Sequence, residues 1–163
     1  MTNSDLSLRL ARASDAVAIA NMSRELIEYG LRWRWTPGRV AASIRAANSN
    51  VLVARIDDRV VGFAIMSYGV HVAHLNLFAV APEYQRTGIG RQLLRWLEKC
   101  AAVAGIVTIA LEVRAANPGA RRFYESMGYR TLVQLPGYYQ GAEAALRMGR
   151  RTTSLDFNGK KKL

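Results

Sequence analysis

Thiol, imidazole and proline are all scarce here: 163 residues include one cysteine, two histidines and four prolines. A lone Cys100 cannot make an internal disulfide, which excludes a cystine framework and suits a reducing compartment. Its apolar neighbours lead us to expect a small buried side chain rather than a nucleophile. His71 and His74 sit three apart on a strand-like run, so they point to opposite faces, and no further cysteine or histidine exists to complete a zinc site. No metal is expected. No run approaches the roughly 20 apolar residues that cross a bilayer, and the start MTNSDLSLRL has no leader-like apolar segment. A cytoplasmic protein with no membrane partner is the expectation. Acidic side chains are also few, with 12 Asp and Glu against 23 Lys and Arg, a formal charge of +11. That surplus fits a nucleic acid, an acidic surface, an anionic cofactor or an acidic protein. The tail RRTTSLDFNGKKKL takes five of the basic residues and one acidic one, and is read as a solvated extension.

What is present is half hydrophobic and patterned as one ordinary domain over residues 1–149, followed by a basic extension over residues 150–163. LSLRLA alternates like a strand, and Ser14 then caps a helix carrying Val17, Ile19, Ala20, Leu26 and Ile27 toward Gly30. Thr36-Pro37 starts a second helix to about Asn48. VLVARI, the turn DDR and VVGFAIMSY form a hairpin, and HVAHLNLFAV adds a strand ending at Ala81-Pro82. From Gly88 the period changes: Ile89, Leu93, Leu97, Cys100 and Ala104 mark a helical face up to Gly105. IVTIALEV is a strand, Asn117-Pro118 opens a helix that stops at Gly128, and YRTLVQL and EAALRMG are strands around PGYYQG. The order β-α-α-β-β-β-α-β-α-β-β places the chain among α/β (α+β) folds.

YQRTGIGRQLL, residues 84–94, runs from a polar turn through two glycines into an apolar helix. Such a junction gathers amide N–H groups at the positive end of a helix dipole, and Gly88 and Gly90 let an anion approach the main chain. Arg91 and Gln92 stand where a Walker loop needs lysine and a hydroxyl, and Leu93 where the dinucleotide fingerprint needs its third glycine. In this context QRTGIG resembles the Q/R-x-x-G-x-G/A signature of the Gcn5-related N-acetyltransferase (GNAT) superfamily, and the likeness covers roughly residues 6–149. LEVRAANPGARRFYESMGY further resembles the bacterial ribosomal-protein alanine N-acetyltransferases.

The resemblance implies a central mixed, mostly antiparallel sheet of about seven strands with about four helices, splayed between strands 4 and 5. Acetyl-CoA is then the cosubstrate. Main-chain groups of Phe78, Ala79 and Val80 would pair with its pantetheine arm, and Gln85, Arg86, Thr87, Gly88, Ile89, Gly90 and Arg91 would hold its pyrophosphate. Arg86, Arg91 and Arg95 place positive charge where a polyanion would enter. Asn117 is both a good helix cap and, in the family, a contact of coenzyme A.

Acyl transfer to an amine needs a proton acceptor, support for an oxyanion and a proton for the thiolate. Family correspondence gives the acid to Tyr124, a phenol of ordinary pKa about 10, and the base to Glu112. Glu112 shares a strand face with Ala110 and Arg114, and it works directly or through water. A backbone N–H near Val80 would meet the oxyanion. An α-amine costs roughly 1 kcal/mol to deprotonate at neutral pH, against about 4 to 5 for lysine, which favours a protein N-terminus as acceptor. Tyr138 and Tyr139 match paired tyrosines that grip an incoming peptide, and Trp33, Trp35 and His74 are further candidates for the acceptor cleft. The basic RWRW and the lysine-rich tail depart from the family pattern and fit an acidic peptide or an acceptor held on the ribosome. The alternatives are acetylation of a small amine or amino-acid derivative and, more remotely, a non-catalytic module bound to nucleic acid or the ribosome.

Overall fold

Asp57 and Asp58 both adopt left-handed φ, 48° and 60°. This is the geometry of a two-residue hairpin turn, and it sends β2 (Ser49–Ile56) straight back as β3 (Arg59–Tyr68). The computed structural model describes residues 5–152. Its other strands are β1 (Ser7–Leu10), β4 (Val72–Val80), β5 (Thr108–Arg114), β6 (Arg130–Tyr139) and β7 (Glu143–Arg151), and its helices are α1 (Ala16–Leu26), α2 (Pro37–Arg45), α3 (Ile89–Val103) and α4 (Pro118–Ser126). The strands form a seven-stranded sheet in the order β1-β2-β3-β4-β5-β7-β6. β4 and β5 run parallel, paired from Val72↔Thr108 to Leu75↔Leu111, and the register stops there although β4 runs on to Val80 and β5 to Arg114. The mixed sheet and the parting of strands 4 and 5 are those expected.

The chain divides into two compact units. Among the described residues, the first takes 5–67 together with Asn76–Leu97, and the second takes Tyr68–Leu75 and 98–152. In the first unit, Ile19 and Ala20 of α1 and Val40 of α2 close over Val51, Val53, Phe63, Ile65, Leu77 and Ala79 of β2, β3 and β4. On the other face of β3, a Cβ on Gly62 would stand 3.2 Å from Leu93 Cδ1 and 3.3 Å from the Ala79 carbonyl. The bare glycine therefore admits α3 close to the strand.

Asp15, not Ser14, organises the start of α1. Ser14 lies inside a short 3-10 turn, Ala13–Asp15, whose last residue sends its carboxylate back to the Arg12 N–H at 2.8 Å. The same carboxylate receives Arg9 Nη1 at 2.8 Å and Arg55 Nη1 at 3.0 Å while only 3% exposed. At α2 the expected cap holds: Thr36 Oγ1 accepts from the Arg39 N–H and Pro37 fills the first turn, although the helix ends at Arg45 rather than near Asn48. Cys100 is only partly covered. The buried stripe of α3 is Ile89, Leu93, Leu94, Leu97 and Ala101, so Cys100 lies at its margin.

In the second unit β5 pairs antiparallel with β7, from Thr108↔Arg151 to Arg114↔Ala145. Arg150 and Arg151, assigned to the extension on sequence, thus lie in β7; residues 153–163 of that extension fall outside the described residues. Ile109, Leu111 and Val113 form one buried face with Leu146 and Met148 opposite them. β6 continues through Gly137, Tyr138 and Tyr139, where a connecting segment was expected, with a register shift between Leu135 and Tyr139 that absorbs the irregular stretch. Among the described residues no helix is long and apolar enough to cross a membrane.

Burial raises the Asp15 carboxyl, but the hydrogen bonds from Arg9 and Arg12 and the charges of Arg9 and Arg55 outweigh it, leaving the group below its ordinary value. A carboxyl depressed in the folded state contributes stability that is complete above its unfolded pKa and drains away as pH falls through the folded one. Urea titrations should therefore show Asp15→Asn destabilised by roughly 2 to 3 kcal/mol at pH 7. That difference should shrink below about pH 4, and a constant difference down to pH 2 would count against the assignment.

Candidate active site

The strand register of the second unit decides what surrounds Glu112. Arg147 of β7 is its direct cross-strand partner, and His74 of β4 pairs with Ala110, two residues back on the same face of β5. Direct and diagonal neighbours on one sheet face lie within reach of long side chains. Arg147 Nε donates to Glu112 Oε1 at 2.9 Å, and His74 Nε2 makes a short hydrogen bond with Glu112 Oε2. The Glu112 side chain is 7% exposed, against 38% for His74 and 42% for Arg147. Burial alone would push the Glu112 carboxyl up; the hydrogen bonds and charges of His74 and Arg147 reverse this and hold it below its ordinary value. It is an ionised acceptor at neutral pH.

Three tyrosines stand around this carboxylate or its neighbours. Tyr139 is pushed up to about 12 by burial, then by Tyr138, Glu112 and Glu143, with Arg114 opposing. Tyr138 is raised by burial and by the Glu112 charge, and the two rings meet edge to face with centroids 5.0 Å apart. Arg114, buried, pairs with Glu143 at 3.3 Å and lies 5.8 Å from the Tyr139 ring centroid. Tyr124, buried on α4, packs edge to face against Phe123 and Tyr129. Burial, then Tyr139, pushes its phenol well above the ordinary range, so it stays protonated across physiological pH. Tyr139 thus interacts electrostatically with both Glu112 and Tyr124.

Asn117 acts as the cap of α4, its Oδ1 accepting the Ala120 N–H at 3.1 Å. The far end of the helix is held by Arg150, whose Nη1 donates to the Met127 carbonyl at 3.0 Å and pairs with Glu98.

The glycine stretch belongs to the first unit. After β4, a 3-10 turn (Pro82–Tyr84) leads to Gln85, whose Nε2 donates to the Val80 carbonyl at 3.0 Å, and Thr87 Oγ1 donates to the Tyr84 carbonyl. Arg86 (φ 61°) and Gly88 (φ 90°) both take left-handed backbone. A Cβ on Gly88 would meet nothing within 4 Å, so its backbone angle rather than crowding calls for glycine. The Gln92 N–H reaches back to the Gly88 carbonyl at 3.1 Å, which leaves the N–H groups of Ile89, Gly90 and Arg91 in the first turn with no carbonyl behind them in the helix. These are the donors of an anion seat. Phe78, Ala79 and Val80 form the end of β4 that the β5 register leaves, and the next N–H, of Ala81, is taken by the Val61 carbonyl at 2.8 Å.

Trp33 and Trp35, also in the first unit, are half-buried and packed against its core. Arg24 lies over one ring at 5.0 Å and Arg39 over the other at 3.8 Å. The loop they occupy is fixed by Glu28, which sequence reasoning passed over. Its buried Oε1 accepts the N–H groups of Arg34 at 2.8 Å and Trp35 at 3.2 Å, and its Oε2 accepts from Ser23 Oγ. Arg147 was also missed, because nothing in EAALRMG shows which residue of β5 it will face. Among the described residues no group of three or more His, Cys, Asp and Glu side chains could hold a metal.

The acetyltransferase (GNAT) family model matches residues 19–129, and the chain belongs to that family. It is 44% identical over 97 residues to an uncharacterised N-acetyltransferase of Methanocaldococcus jannaschii, covering 59% of this chain and 62% of the relative. It is 42% identical over 95 residues to the ribosomal protein bS18-alanine N-acetyltransferase of Salmonella typhimurium, covering 56% of this chain and 64% of that enzyme. The chain thus spans somewhat under two thirds of these relatives' lengths. The crystal structure of the ribosomal-protein-S18-alanine N-acetyltransferase of Escherichia coli superposes with a TM-score of 0.80 at 26% identity, covering 94% of this chain and 98% of that one.

Arg147 is one of the two side chains that hold the Glu112 carboxyl down. In Arg147→Leu the Glu112 carboxyl should titrate at higher pH than in the wild type, read from its side-chain carboxyl resonance by NMR. An unmoved titration would show that the cross-strand pair does not form in solution.

Proposed function

We propose that the chain transfers acetyl from acetyl-CoA to a primary amine by direct attack in a ternary complex, with a protein N-terminal α-amine as acceptor. The observation that carries this reading is the separation of two ionisable groups within the second unit. Glu112 is held ionised and Tyr124 is held protonated, with Tyr139 in electrostatic reach of both. Groups whose surroundings drive their pKa values apart are suited to opposite halves of a proton-transfer cycle.

The roles follow from that division. Glu112 serves the amine's deprotonation, and Tyr124 gives its proton to the departing thiolate. The first-turn N–H groups of α3 bind the pyrophosphate, Gln85 to Arg91 shape that turn, and main-chain groups of Phe78 to Val80 align the pantetheine. A carboxylate held below its ordinary pKa is a modest base, which suits an α-amine, already about 1 kcal/mol from deprotonation at neutral pH, better than a lysine. Tyr138 and Tyr139 offer large rigid surfaces for the acceptor's first residues. Membership in the family and the likeness to alanine N-acetyltransferases support the same acceptor class. The reaction runs in the compartment where ribosomes present new N-termini, the cytoplasm.

Thiol release from acetyl-CoA, measured with peptides bearing free α-amines and with small amines, tests this directly. Peptides should turn over, with the peptide gaining one acetyl by mass. Turnover of small amines alone would replace the acceptor, and retention on RNA without thiol release would replace the enzyme reading altogether. Tyr124→Phe should slow the chemical step by ~10²-fold with coenzyme A affinity nearly unchanged. Gly88→Val, forced into left-handed backbone, should weaken coenzyme A binding by about tenfold or more in calorimetry, while undiminished binding would remove the pyrophosphate from that turn.

A further inference from the structure

Arg147 is fixed through one nitrogen and open at the others. Its Nε donates to Glu112 Oε1 at 2.9 Å and its side chain is 42% exposed. Among the described residues neither Nη group makes a hydrogen bond or an ion pair. Arg114 and Arg150 of the same unit are engaged by contrast: Arg114 is buried and paired with Glu143, and Arg150 gives Nη1 to Glu98 and to the Met127 carbonyl. A guanidinium is a planar fork whose N–H groups match the two oxygens of a carboxylate. Anchored at Nε, this one has little side-chain freedom left to lose on taking a second anion. We propose that the Nη groups of Arg147 bind a carboxylate that the acceptor carries close to its amine, so that Arg147 selects acidic acceptors. This rests on the acetyltransferase reading and names the acceptor's chemistry within it.

The cross-strand pair is itself the recognition element. Glu112 and Arg147 set a negative and a positive group side by side on one face of the sheet. An amine with a carboxylate beside it carries the complementary pattern, nitrogen toward Glu112 and carboxylate toward Arg147. Successive Cα atoms of an extended peptide are about 3.8 Å apart, so an amine at Glu112 leaves a carboxylate on the first or second residue within reach of the adjoining guanidinium. Tyr138, 45% exposed, flanks the same surface: burial and then the Glu112 charge raise its phenol, and the Arg147 charge lowers it.

The neighbouring charges do not compete for the fork. Glu143, the other carboxylate that acts on the paired tyrosines, is held by Arg114. An acceptor with lysine in place of the acid would set an ammonium against Arg147, which adds a repulsive half to the selection. The expectation of an acidic acceptor, drawn on sequence from RWRW and the tail, thereby gains a basis in a residue that neither contains. Two sources supply the same chemistry at Arg147: the side chain of an acidic second residue in a peptide, and the α-carboxylate of a free amino acid.

The test uses the full chain and acetyl-CoA, with thiol release read for two sets of acceptors. One set is peptides that begin Ala-Asp, Ala-Asn or Ala-Lys and are otherwise identical; the other is alanine against alaninamide. In the set that turns over, the wild type should favour the carboxylate member over its amide by about tenfold in kcat/KM, mainly through KM for the acceptor. The Ala-Lys peptide should be poorer still. Which set turns over tells the peptide source from the free amino acid. In Arg147→Gln the ratio of carboxylate to amide should fall to about one, and because both acceptors meet the same enzyme, any change at Glu112 cancels from that ratio. Arg147→Met, which keeps a long stem without the charge, should give the same collapse if the glutamine variant folds poorly. A wild type indifferent to the carboxylate, or a preference that survives loss of Arg147, would overturn the proposal. A wild type that releases no thiol with any amine would instead overturn the acetyltransferase reading itself.

Discussion

The register between β5 and β7 is the constraint on which the chemistry of the second unit depends. It sets Arg147 directly across from Glu112 and puts Leu111 and Val113 on the opposite, buried face. A slip of one residue would exchange those faces, sending the carboxylate into the apolar layer and bringing leucine to the tyrosines. The apolar face thereby enforces the polar one: burial of Ile109, Leu111, Val113, Leu146 and Met148 selects the single alignment in which Glu112 faces Arg147. Ionisation at Glu112 is then a product of hydrophobic packing as much as of charge.

A different economy holds the first unit. Asp15 gathers two arginines and a backbone N–H, and Glu28 gathers two backbone N–H groups and a hydroxyl. Both are buried carboxylates with full sets of donors, the condition under which a buried charge is tolerated. Glu28 does for the Arg34-Trp35 stretch what a strand pairing would do elsewhere. It fixes the backbone while the indoles lean on the core and the guanidinium groups of Arg24 and Arg39 cover their outer faces. The tryptophans read as acceptor contacts on sequence are first of all packing residues, and any surface they offer a ligand is their remaining part.

Much of the architecture was legible because it is written in local signals. The Asp57-Asp58 turn, the Thr36-Pro37 cap and the change of period at Gly88 each act within a few residues, and the element order followed from them. The glycine stretch was readable for the same reason, since a left-handed φ at Gly88 and the orphan N–H groups after it are properties of one turn. Ser14 misled because any hydroxyl before an apolar run resembles a cap, whereas Asp15 won by serving two arginines as well as the backbone. PGYYQG misled because glycine and proline signal a break, yet β6 absorbs them with a shifted register. Arg147 and the contact between His74 and Glu112 were beyond reach: they depend on pairing between strands separated by 35 and 38 residues of chain, which no window of sequence contains.

The helix that bears Tyr124 is only nine residues long, too short to persist alone in water. Asn117 ties down its first turn and Arg150, from the last strand, grips the carbonyl at its end, while Gly128 turns the chain away with φ 90° and leaves room for the guanidinium. Its phenol is therefore stationed by two anchors that lie outside the helix itself. Drift within the family at exposed α4 positions should leave the hydroxyl where it is, whereas loss of the distant arginine would unmoor it without altering any residue of the helix.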